Sequence, residues 1–123
     1  MAAKYDIKIN QGSTFKILLT INDSENNPID LTGFSFCGQI RKTVSDPIIQ
    51  ASFDFIIQDQ ITDKGKVFAI ISNTSTMNIA VNESRSAERV TTIMTYDIES
   101  TFNGETTRWI EGLAEISPEA SKC

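Results

Sequence analysis

Apolar and polar residues alternate with a period of two along most of the chain, the mark of strands that bury one face. Tyr5, Ile7 and Ile9 alternate with Asp6, Lys8 and Asn10, which predicts a first strand, facing inward through the apolar set and ending at Gly12. Phe15, Ile17, Leu19 and Ile21 alternate with Thr14, Lys16 and Thr20 and predict a second. Residues 22–28 are rich in side chains that hydrogen-bond their own backbone, so they read as a surface turn. After Asp30-Leu31-Thr32-Gly33, Phe34, Phe36 and Ile40 share a face with Gly38, and Asp46-Pro47 ends that strand. Ile49, Ala51, Phe53, Phe55 and Ile57 then alternate with Gln50, Ser52, Asp54 and Ile56, which predicts the longest strand of the chain. Asp63-Lys64-Gly65 turns the chain into 67–71, an unbroken apolar run expected of a strand buried on both faces.

The pattern changes after residue 73. Met77, Ala80 and Val81 have the spacing of a helical face and follow a run of Ser and Thr suited to capping, so a short helical crossover is expected near 74–85. Val90, Met94, Tyr96 and Ile98 return to the period of two. Asn103-Gly104 signals a type I′ hairpin, because both residues tolerate positive φ. It should join 91–100 to 106–117, where Ile110, Ala114 and Ile116 continue the inward face. About seven strands without long helices predict an all-β fold of two antiparallel sheets packed face to face. An immunoglobulin-like (Ig-like) sandwich is the nearest architecture, with a small barrel as the alternative. The buried Cys…Trp…Cys signature of antibody domains is absent, since Trp109 lies in the last strand and the cysteines are wrongly spaced. Residues 1–117 read as one domain and 118–123 as a tail.

Charge narrows the partners. Sixteen acidic residues against 11 basic ones give a net charge of −5, which argues against nucleic acid and against an anionic membrane surface. No apolar run has the length of a membrane span, and the first residues lack the layout of a secretory signal. A cytoplasmic site of synthesis is therefore expected. Cys37 reads as a small buried apolar side chain, and a Cys37–Cys123 disulfide is disfavoured because terminal residues are seldom pinned.

The chain has no histidine, which removes the commonest general base and metal ligand. Two cysteines alone do not make an ordinary zinc site, and the six glycines form no phosphate cradle. Asp54, Asp59 and Asp63, like Asp97, Glu99 and Glu111, read as solvated strand faces rather than catalytic pairs. The loop at 22–27 lacks the ligand spacing of a calcium loop. No catalytic residue, metal, cofactor or small-molecule substrate is expected. Four residues stand out instead as contact candidates: Trp109 and Arg108 as anchors, with Arg41 and Lys42 as lesser ones. The competing reading of Trp109 is packing on a neighbouring strand.

Several phrases taken together carry a resemblance. They are Tyr5-Asp6 followed by Gln11-Gly12-Ser13-Thr14-Phe15, the run from Pro28 through Asp30-Leu31-Thr32-Gly33 to Phe34, and Gln39-Ile40-Arg41-Lys42. Tyr96-Asp97-Ile98, Arg108-Trp109-Ile110-Glu111-Gly112 and Ile116-Ser117-Pro118-Glu119 complete the set, which spans nearly the whole chain. In this order they resemble small Ig-like virion proteins of tailed bacteriophages, T4-like phages of cyanobacteria in particular. The modules that open upper baseplate proteins of phages of Gram-positive hosts are similar. The resemblance implies a non-catalytic structural protein of the tail, baseplate or neck, made in the host cytoplasm and resident in the virion. Its partners would be other virion proteins and copies of itself. A capsid decoration protein and a host-glycan-binding module are the alternatives. The segment 84–89 departs from the resemblance, since related sequences pass from a glycine into the tyrosine strand.

Overall fold

The computed structural model describes residues 2–81 and 90–121. In chain order its strands are β1 (Ala3–Lys4), β2 (Ile7–Asn10), β3 (Phe15–Thr20), β4 (Ser35–Arg41), β5 (Ala51–Ser52), β6 (Asp54–Ile57) and β7 (Lys66–Ile71). A five-residue helix, α1 (Asn73–Met77), precedes β8 (Thr92–Phe102) and β9 (Glu105–Ser117). One sheet runs β9-β8-β4-β5, with β1 and β2 both lying parallel along the outer edge of β9. The other runs β3-β7-β6, all antiparallel. The two pack face to face as the Ig-like sandwich that the alternation predicts. Among the described residues no helix is long and apolar enough to cross a membrane.

Both sheets feed one core. Ile7, Ile9, Ile40, Ala69, Ile71, Met94, Tyr96, Ile98, Ala114 and Ile116, from β2, β4, β7, β8 and β9, are buried together. A second cluster of Ile21, Leu31 and Val67 closes one end, with Trp109 packed against it. Each fully buried Ile or Leu contributes roughly 1.5–3 kcal/mol relative to exposure, so this shared inner face dominates stability. The hairpin forms as predicted, with Asn103 at φ 51 and Gly104 at φ 77. Asp30 organises the entry to β4: the hydroxyl and the N–H of Thr32 donate to Oδ1 at 2.6 and 3.0 Å. These bonds hold its carboxyl below the ordinary value of 3.8.

Several expectations are corrected. The long strand predicted over 49–57 is two strands in different sheets. β5 pairs with β4 and β6 pairs with β7, while Phe53 between them donates its N–H to the Gly38 carbonyl at 2.8 Å. The alternation survives the switch because the inner faces of both sheets look into the same core, so a continuous period of two does not reveal the crossing. The longest strand is β9, with 13 residues. Cys37 is exposed rather than buried: with Phe36, Gly38 and Ile40 facing in, its own position must face out, opposite Glu99. Cys123 lies outside the described residues.

In β7 only Val67, Ala69 and Ile71 are fully buried, while Phe68 and Ile70 on the outer face remain half-buried. α1 covers 73–77 and is capped by Ser72, whose Oγ accepts from Ser75 N at 3.2 Å. It buries Thr76, with Ile79 just beyond, rather than Met77, which is exposed. The rest of the helix expected over 74–85, from residue 82, lies outside the described residues, as does the departing segment at 84–89. Thr76 Oγ1 donates to Ser13 O at 2.8 Å and accepts from Gly12 N at 3.1 Å, which ties the helix to the β2–β3 turn. The Gln11 amide donates to Ile79 O at 3.1 Å and accepts from Glu119 N at 2.9 Å, which fixes the start of the C-terminal tail.

Tyr5 is 54% exposed, against the inward face predicted for it. The first strand breaks at Tyr5-Asp6 into β1 and β2 where it crosses Gly112. A Cβ at Gly112 would overlap the Tyr5 carbonyl oxygen, so the crossing needs glycine. The bend is held by Tyr5 N donating to Glu111 O at 2.9 Å and Leu113 N donating to Asp6 Oδ1 at 2.9 Å. The hydroxyl of buried Tyr96 donates to the Tyr5 carbonyl from beneath. Burial, reinforced by the Asp6 carboxylate and by Tyr5, pushes the Tyr96 phenol up from 10.0 to about 12.

Candidate interaction surface

A register shift in the β8–β9 ladder decides where the candidate anchors point. Ile98 pairs with Ile110 and Glu99 with Arg108, so Trp109 is the extra residue of a bulge. Arg108 stands exposed on the outer face, with Nε 3.6 Å from Asp97 Oδ2. Trp109 turns inward, half-buried against the second cluster, and its indole N–H donates to Ser100 Oγ at 2.7 Å. The two neighbours in sequence therefore lie on opposite sides of the sheet. Arg41 lies on the outer face opposite Thr95, where its guanidinium donates to Asp46 O at 2.9 Å and Gln39 Oε1 at 2.8 Å. Those bonds hold the turn after β4. Lys42 is exposed just beyond. The fold does not gather the four into one patch.

Asp97 and Glu111 sit directly opposite each other on the outer face. Arg108 forms an ion pair with the Asp97 carboxylate of that facing pair. Among the described residues no group of three or more His, Cys, Asp or Glu is placed to hold a metal ion.

An open groove of about 430 Å³ lies between the C-terminal end of β3 and the β1–β9 edge. Leu19, Ile21, Trp109 and Ile110 form its apolar side, with Asn22 and Asp23 at the rim. Beside it runs the free edge of β3, which no strand among the described residues covers. Ile21 donates to Gly65 O at 2.7 Å on the β7 side. Bonding direction alternates along an antiparallel strand, so the N–H and C=O of Lys16, Leu18 and Thr20 point away from β7.

The outer face of the same sheet carries an apolar row. Leu18 stands opposite Phe68, and Phe68 opposite Ile56. Leu18 is 47% and Ile56 53% exposed, with Phe68 half-buried between them. Lys16 folds back so that its ammonium lies 4.2 Å from the Phe68 ring centroid. None of these residues was among the sequence candidates, although a signal was available. Leu18 within 17–19 and Ile56 within 55–57 put apolar side chains at positions where the alternation calls for polar ones.

Neither a protein-family model nor a curated protein matches the chain.

Proposed function

We propose that this chain is a non-catalytic structural protein of a tailed-phage virion, in the tail, baseplate or neck, which works by being bound to neighbouring virion proteins. The observation that carries the reading is the three-stranded sheet: a β3 edge that no strand among the described residues covers, continuous with the outward row Leu18, Phe68 and Ile56. Unpaired strand edges and exposed apolar rows are the features by which sheets recruit other chains. The phrases that resemble phage virion proteins support the same assignment, and here they do architectural work. Asp30-Leu31-Thr32-Gly33 shapes the entry to β4, and Gly112 admits the crossing first strand.

The test is to raise antiserum against the purified chain and probe gradient-banded particles of the phage that encodes it. The chain is expected to band with particles in a fixed ratio to the major tail or capsid protein. Its confinement to the soluble fraction of the lysate overturns the assignment.

The groove favours a second reading, a glycan-binding module. It joins an indole to Asn22, Asp23, Thr20 and Ser24, the combination of aromatic face and polar rim that recognises sugars. Host-surface polysaccharide should then change Trp109 fluorescence saturably, and no change at millimolar sugar sinks it.

A further inference from the structure

β3 offers the longest unpaired edge among the described residues. It has six residues, against four in β2 and β6 and two in β1 and β5. It lacks the devices that usually block strand addition, since it contains no proline, glycine or bulge. Its single charge, Lys16, is drawn back over Phe68. We propose that this edge pairs antiparallel with β3 of a second copy of the chain, about a two-fold axis at Leu18. The inference rests on the reading that the chain works by being bound, and it names the partner and the register.

The strand's own chemistry selects that register. With the axis at Leu18, Leu18 stands opposite the partner's Leu18 and Lys16 opposite the partner's Thr20. All three outward-bonding residues of each strand then meet outward-bonding residues of the other. Moving the axis by half a residue sets outward groups against inward ones and breaks the ladder. Moving it one residue, to Ile17 or Leu19, leaves only two outward pairs within β3 instead of three. Moving it to Lys16 puts like charges directly opposite, which is destabilising. Moving it to Thr20 sets Leu18 against the partner's Asn22, where the chain already bends away to bridge with Pro28.

Leu18 also joins the two apolar rows into one, from Ile56 and Phe68 of one copy to Phe68 and Ile56 of the other. Charge agrees with the geometry. The basic end of each strand meets the end of the other that leads into exposed Asp23 and Glu25. The contact is isologous and therefore closes at two.

The test uses light scattering and thiol cross-linking on the full chain, with Cys37 and Cys123 changed to Ser. A single strand pair is a small interface, so half-dimerisation at about 100 µM is expected. Leu18→Lys should leave a monomer at every concentration while keeping the urea midpoint, because Leu18 is already exposed. Leu18→Cys should cross-link to a covalent dimer through a short bis-thiol reagent. Ile56→Cys, two strands from the edge, should not. A chain that stays monomeric throughout overturns the proposal, as does a dimer that tolerates Leu18→Lys and cross-links through Ile56→Cys. A monomer that still bands with particles overturns this inference alone. A β3-paired dimer absent from particles overturns the virion assignment alone.

Discussion

Gly112→Ala is the most searching test of how the N-terminal strand is held. The added Cβ would occupy the position of the Tyr5 carbonyl oxygen, so the backbone at Tyr5-Asp6 must lift from β9. Lifting breaks the Tyr5 N–Glu111 O bond, the Leu113 N–Asp6 Oδ1 bond and the Tyr96 hydroxyl bond to Tyr5. Each is worth roughly 0.5–1.5 kcal/mol, and the third leaves a hydroxyl stranded in the core. Replacing a strand glycine by alanine returns roughly 0.5–1 kcal/mol of chain entropy. The net loss is about 3 kcal/mol, a large share of the roughly 5–15 kcal/mol by which small domains are stable. For a chain of this size that lowers Tm by about 12 °C. Urea denaturation of Gly112→Ala, Tyr96→Phe and the double variant measures it. Tyr96→Phe should cost about 1 kcal/mol alone and almost nothing beside Gly112→Ala, because the same bond is already gone. Additive losses, or a Gly112→Ala loss below about 1 kcal/mol, would refute the bond accounting.

Thr76→Val keeps the shape of a fully buried side chain but strands Gly12 N–H and Ser13 C=O. It should cost about 1–2 kcal/mol by urea melt, and more than Thr76→Ser if the hydroxyl matters more than the methyl. Tyr96 is neutral in the folded state and its phenol is raised, so its contribution is full below pH 10.0 and is lost as pH climbs through about 12. A phenolate absorbance titration should show this late step, and Tyr96→Phe should abolish it; a step that persists in the variant refutes the assignment. Trp109→Ala should cost about 3 kcal/mol of stability through lost packing on Ile21, Leu31 and Val67. Trp109→Phe should cost about 1 kcal/mol, since Ser100 Oγ loses its donor. Unchanged melting of both would show that Trp109 serves contacts outside the fold.

The inner faces of the strands were legible because a period of two has only two phases and the core selects one. Ile7, Ile9, Met94, Ile98, Ala114 and Ile116 all fall where the alternation puts them. What alternation does not carry is the identity of the neighbour. Nothing in the phase of 49–57 says that Ala51 pairs with Ile40 while Phe55 pairs with Ala69 in the other sheet. Trp109 escaped for a related reason, since one extra residue in β9 resets its direction against Arg108. The β3 edge was legible only as an excess, in Leu18 and Ile56 standing where lysine or threonine would have sufficed. The helix was signalled by its capping serines, but the face it buries follows Thr76, a polar residue whose burial depends on acceptors and donors distant in sequence.

The parallel pairing of β2 with β9 has a mechanical consequence. The two strands lie side by side near opposite ends of the chain, in register from Ile7 with Ala114 to Asn10 with Ser117. Tension applied to the two ends therefore drags β2 and β9 past each other along their common axis. Their ladder is loaded in shear, with all its bonds strained at once rather than unzipped one after another. A module so connected resists extension at the seam where load enters it, and yields abruptly rather than gradually once that seam slips.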